Sequence, residues 1–136
     1  MNEAAIRDFF IGAASASQLE ADIAGTTEEV MPKYTRYHVA KMEGTFGLKP
    51  EHLIKVCDAI IHGRLKIDAL QTIGFCLEAS ESFLRDNQTT EGKVICDTLN
   101  EWASPEINFP LTRNNIKAWR KRLLGEDATF ELCGSA

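Results

Sequence analysis

Trp102-Ala-Ser-Pro-Glu-Ile-Asn-Phe-Pro-Leu-Thr112 decides how the rest of the chain is read. It is a stiff connector with two prolines between two segments of helical periodicity, and it carries Trp102, Ile107, Phe109 and Leu111 where helix connections are ordinarily short and polar. Pro105 and Pro110 restrict Ser104 and Phe109 to extended backbone. The connector is therefore expected to pack, with Trp102 and Phe109 in the core, and to fix the angle of the helix that follows. Glu106 and Asn108, held between the apolar anchors, are its candidates for partner contact; packing is the stronger reading.

Working outward, Thr112 is placed to cap a last helix, with Leu111 and Ile116 in the positions of a hydrophobic staple. Ile116, Trp119 and Leu123 form its buried stripe and Gly125 ends it. Upstream of the connector, Val94, Ile95, Thr98, Leu99 and Trp102 share a helical seam, preceded by the polar linker from Arg85 to Gly92. An earlier helix is expected from about Ile67 to Phe83 or Leu84, with Leu70, Ile73, Leu77, Ser80 and Leu84 facing inward. Before it, Lys49-Pro50-Glu51 puts proline at a first helical position, Leu53 to Ile61 supplies a broad apolar stripe, and Gly63 closes the helix. The short link between these two helices predicts antiparallel neighbours.

The first third is less regular. Asn2 is a cap for a helix bearing Ile6, Phe9, Phe10 and Ala13, weakened or ended by Gly12. Ser17-Gln-Leu-Glu20 has the form of a capping box, and a short helix to about Ala24 is stopped by Gly25. Residues 26 to 35, broken by Pro32, read as a loop. From Arg36, Tyr37, Val39, Met42 and Phe46 fit a helix or a short strand; helix is the reading taken.

These elements predict an all-α fold, a compact bundle of about five or six helices in a single domain, residues 1–136, with an acidic N-terminal part (1–35) and a polar tail (126–136). A chain of 136 residues with 44% hydrophobic and 26% charged content is large and apolar enough to bury a core without metal or disulfide. No apolar run approaches the roughly 18 residues that span a bilayer. Glu3, Arg7 and Asp8 stand where a signal peptide has a basic start and an apolar block. The expected location is cytoplasmic, without membrane contact, and Cys57, Cys76 and Cys96 fall on or beside apolar stripes as core thiols; with Cys133 their spacing is wide and irregular.

The charge is segregated. Residues 1 to 31 hold six acids against Arg7, which accounts for the whole net charge of −5, and the remainder balances. Residues 113 to 122 hold Arg113, Lys117, Arg120, Lys121 and Arg122 with no acid. On a helical wheel Arg113, Lys117, Arg120 and Lys121 share one broad face beside the apolar stripe, a surface suited to an anionic partner.

Assembled chemistry is not apparent. His38, His52 and His62 with the cysteines and acids form no closely spaced ligand pairs of the zinc type, and Asp58 with His62 is one pair where three or four ligands are needed. No metal or cofactor is expected. Burial would raise the cysteine thiols and leave them inert, and no G-x-S-x-G, P-loop or G-x-G-x-x-G occurs. Glu78, Glu81 and Asp86, like Glu28 and Glu29, read as solvated acids. A helix-turn-helix over Tyr37 to Ile61 would carry Glu51 and Asp58 on its second helix, and a pI of 5.2 disfavours phosphate binding.

The connector, with the stretch Pro50-Glu-His-Leu-Ile-Lys-Val-Cys-Asp-Ala-Ile61 followed by Gly63, and Ile73-Gly-Phe-Cys-Leu-Glu-Ala-Ser80, resembles a group of small bacterial helical proteins sharing a Trp-x-x-Pro-Glu-Ile-Asn-aromatic-Pro-Leu-Thr run before the last helix. The resemblance covers roughly residues 48 to 124 and names no catalytic residue. Some small cytoplasmic proteins of this kind are immunity partners of secreted toxins, so it implies such a role. The sequence thus points to a non-enzymatic protein-binding module, with a homo-oligomer as another form of protein contact. The alternative is a nucleic-acid-associated regulator using Arg113, Lys117, Arg120 and Lys121.

Overall fold

Short polar side chains fix where four of the six described helices begin. The computed structural model describes residues 2–24, 27–31, 34–37 and 39–132; Gly25 as a helix stop, Pro32, Cys133 and the end of the tail lie outside the described residues. Asn2 Oδ1 accepts from Ala4 N at 3.0 Å and opens α1 (Glu3–Phe10). Ser15, not Ser17, opens α2 (Ala16–Ile23): its Oγ accepts from Gln18 N at 3.2 Å, and Gln18 Oε1 accepts from Ser15 N at 2.7 Å. Gly12, at φ 81°, and the bonds of Ala13 and Ala14 N–H to Asp8 O complete the turn early. Ser15 is thus the first residue free to cap, and Glu20 accepts instead from Lys66 N at 3.0 Å.

Two short strands follow where a loop and then a helix were expected. β1 (Thr27–Met31) pairs antiparallel with β2 (Tyr34–Tyr37), Thr27 opposite Tyr37 and Glu28 opposite Arg36, with an irregularity between Glu29 and Met31. Threonine, valine and tyrosine in these runs favour extended backbone, and no helical period opposes them. β3 (Phe46–Gly47) leads into α3 (Pro50–Ile61), which starts on the expected proline and ends before Gly63 at φ 73°.

α4 (Ala69–Ala79) is shorter than its periodicity suggests. Ser80 ends it, donating its Oγ–H to Glu3 Oε2 at 2.5 Å and accepting from Ser82 N at 3.0 Å. The chain then extends into β4 (Phe83–Leu84), parallel to β3 with Phe46 opposite Phe83. Leu84, expected on a buried helix face, is consequently 51% exposed. α5 (Thr90–Ala103) is capped by Thr89 and α6 (Arg113–Leu123) by Thr112, whose Oγ1 accepts from Asn115 N at 3.1 Å.

The described residues form an all-α bundle of six helices with two minor two-stranded ribbons. Its pairing is α4 on α5 and α3 on α6, so α3 and α4 are not the packed neighbours that their short link suggested. Gly74 explains the α4–α5 contact: a Cβ there would lie 2.6 Å from Trp102 Cβ and 3.0 Å from Ala103 N. Only a glycine lets these backbones approach so closely. Trp102 and Trp119 are both fully buried, their rings edge-to-face at 6.3 Å and 85°. A second aromatic group, Phe10, Phe46, His52 and Phe83, lies beneath the start of α3.

The connector packs as expected in Trp102, and Phe109 and Leu111 are partly buried, but Ile107 is 79% exposed. Asn108 braces it internally, donating Nδ2 to Ser104 O at 2.9 Å and to Asn100 Oδ1 at 3.4 Å. The segment after α6 returns to cover it. Phe130 stacks on Phe109 at 4.5 Å and 15° and lies 5.5 Å from the Trp119 ring.

Candidate binding face on α3 and α6

Helix α6 is amphipathic, and its buried stripe orients the cations. With Ile116, Trp119 and Leu123 inside, Arg113, Lys117, Arg120 and Lys121 fall on the opposite side of the helix, Arg113 and Arg120 at its edge next to α3. Two of them are tied to that helix: Arg120 Nε donates to Asp58 Oδ1 at 2.6 Å, and Arg113 Nη2 donates to Ile61 O. The hydrogen bond and charge of Asp58 raise the Arg120 pKa further. Lys117 and Lys121 are exposed, and among the described residues neither side chain has a hydrogen bond or an ion pair. The strip is thus two anchored guanidiniums with two free ammonium groups between and beside them.

Arg122 belongs elsewhere. It turns toward α5, where Nη2 donates to Glu101 Oε1 at 2.7 Å and to Thr98 Oγ1 at 2.8 Å, and its guanidinium lies 5.1 Å from the Phe130 ring. Glu101 Oε1 also accepts from Trp119 Nε1 at 2.9 Å. This half-buried network holds α6 against α5 and takes Arg122 out of the contact strip. In the connector, Glu106 is exposed, whereas Asn108 is spent on its internal brace. The structure therefore brings together Arg113, Lys117, Arg120 and Lys121, and leaves the connector pair apart from them in role.

Beyond the Asp58–Arg120 pair, α3 forms one wall of a cleft of about 810 Å³ whose other wall is the turn from α1 into α2. Lys55, Asp58 and His62 line it from α3 and Arg64 from the loop after it. The sequence signal for this wall was present: positions 55, 58, 59 and 62 recur at helical spacing on the polar side of the stripe.

The remaining titratable groups are structural. Burial pushes the Cys57 thiol up to about 12, with Asp58 adding to it, and burial likewise raises Cys76 to about 12. Glu78, Glu81 and Asp86 are exposed, Glu81 pairing with Lys41 at 3.1 Å. Burial would raise Glu3, but hydrogen bonds from Ser80, Met42 N and Ser82, with the charge of Lys41, outweigh it and hold the carboxyl below its ordinary value. Burial keeps His52 below its ordinary value despite Glu51; its Nδ1 accepts from Lys49 N at 3.0 Å. Among the described residues no three His, Cys, Asp or Glu side chains converge as a metal site. No described helix is long and apolar enough to cross a membrane.

Set against family models, curated proteins and solved structures, the chain matches none.

Proposed function

We propose that the protein is a non-enzymatic binding module for another protein, acting as a bacterial cytoplasmic immunity protein that neutralises a toxin. The observation that carries this reading is the strip on α6, where the side chains of Lys117 and Lys121 are exposed and unpaired while Arg113 and Arg120 are fastened to α3. The two arginines are held in place by α3, while Lys117 and Lys121 keep unpaired charge for an acidic partner. The charge pattern supports a protein partner over nucleic acid. A net charge of −5 repels a phosphate backbone at long range, whereas a local basic strip steers a partner carrying a matching acidic patch.

The test is co-expression with any toxic protein encoded beside its gene. Wild-type chain restores growth, and the double reversal K117E/K121E, which touches no internal contact, abolishes protection without changing the melting temperature. Full protection by the reversed variant contradicts the assignment of the face, and absence of any complex contradicts the binding role. A complex with DNA that weakens steeply with salt would instead support the nucleic-acid reading.

A further inference from the structure

The cleft beside α3 goes beyond the proposed protein contact. We infer that it is a binding site for a small organic oxyanion, a carboxylate or phosphate monoester carrying a compact apolar body. Its volume, about 810 Å³, lies within the range of small-molecule sites. Glu20 and Asp58 line it, but both carboxylates are engaged within the fold, Glu20 by Lys66 N at 3.0 Å and Asp58 by Arg120 at 2.6 Å.

Only Asp58 is ion-paired, and among the described residues none of the cations of the cleft is. Lys55 is partly buried, with Nζ 2.5 Å from Phe9 O and 4.9 Å from the centre of the Phe9 ring, and among the described residues no carboxylate pairs with it. A half-buried ammonium met only by a carbonyl and a ring face leaves charge for a ligand to neutralise. His62 and Arg64 line the same space, and among the described residues neither side chain has a hydrogen bond or ion pair. Across the cleft are Ser15, Ala16 and Ser17, the cap and first turn of α2. The Ser15 hydroxyl serves Gln18 N, which leaves the N–H groups of Ala16 and Ser17 without an acceptor inside the helix.

Cations and N–H donors without a partner in the fold thus meet in the cleft from two separate segments of chain, the α1–α2 turn and the stretch from Lys55 to Arg64, and they outnumber its one carboxylate without a cationic partner, Glu20. Between these groups, Phe9, Ala14, Ala16 and Ala59 supply apolar lining. An oxyanion is the chemistry that satisfies the donors, and a small apolar body is what fits the rest.

The experiment is a titration of isotopically labelled protein, followed by amide shifts, with phenyl phosphate, benzoate and inorganic phosphate in parallel. Saturable shifts are expected at Ala16, Ser17, Lys55, His62 and Arg64, with phenyl phosphate or benzoate binding more tightly than inorganic phosphate. The stronger of the two organic anions assigns the headgroup. K55M is expected to weaken it at least about tenfold, and R64A, at an exposed position, weakens it with the fold intact. K117E/K121E leaves it unchanged, which separates this site from the protein contact. No saturable shift up to about 10 mM of any anion, shifts centred on α6, or full affinity in both K55M and R64A would overturn the site. Inorganic phosphate binding as tightly as phenyl phosphate and benzoate would overturn the apolar body.

Discussion

Asn115 holds Glu131 by both of its backbone polar groups: Nδ2 donates to Glu131 O at 3.0 Å, and Glu131 N donates to Asn115 Oδ1 at 2.6 Å. The same Nδ2 donates to Pro110 O at 2.9 Å, so one fully buried amide joins α6, the connector and the final segment. N115A removes three part-buried hydrogen bonds to backbone groups and is expected to cost about 1–3 kcal/mol. It should also release Phe130 from Trp119, seen as a red-shifted tryptophan emission and faster proteolysis after residue 125. F130A should reproduce the emission change.

Gly74 tests the α4–α5 contact. G74A places a Cβ 2.6 Å from Trp102 Cβ, and it is expected to lower stability by about 1–3 kcal/mol in denaturant unfolding. G47A, where no atom lies within 4 Å of the added Cβ, should stay within about 0.5 kcal/mol of wild type.

Two ion pairs of similar length differ in their surroundings. Glu101 is 15% exposed and serves both Arg122 and Trp119, whereas Asp58 and Arg120 are each more than a third exposed. E101A is expected to cost about 2–3 kcal/mol, because it strands a half-buried guanidinium and an indole N–H. D58A should cost less than about 1 kcal/mol. Thermal and denaturant unfolding of the two variants checks the ordering.

Acid should destabilise the fold in two steps. His52 and Glu3 both bind protons less readily folded than unfolded, so lowering the pH favours the unfolded chain. The His52 contribution is complete above its ordinary value of 6.5 and is lost as pH falls through that value toward the depressed one. The Glu3 contribution is complete above 4.5 and is lost below it. In a stability–pH profile, H52F should flatten the first step and E3Q the second. E3Q should also lower stability at pH 7 by about 1–3 kcal/mol, since Met42 N and Ser80 Oγ lose a charged acceptor.

Local chemistry was legible in the sequence where it was strong and self-contained. The Asn2 and Thr112 caps, Pro50 at the start of α3, the Gly63 stop and the buried stripe of α6 all follow from side chains acting within a turn or two. What escaped depended on distant partners. α4 stops at Ala79 because Ser80 bonds Glu3, far away in sequence, and Leu84 is diverted into a strand by Phe46 and Gly47. α4 lies on α5 because Gly74 meets Trp102, a contact that periodicity does not register. The basic strip was visible as a cluster, but which of its members remain free was set by Asp58 and Ile61 on another helix, and the cleft by the meeting of α3 with the α1–α2 turn.

The most direct measurement is the affinity of the chain for a toxin against which its co-expression protects, by calorimetric titration of wild type and K117E/K121E. A one-to-one complex that the double reversal weakens by about a hundredfold or more, with melting temperature unchanged, is the predicted result. Equal affinity in the two proteins, or no complex with wild type, would contradict the assignment of α6 as the contact face.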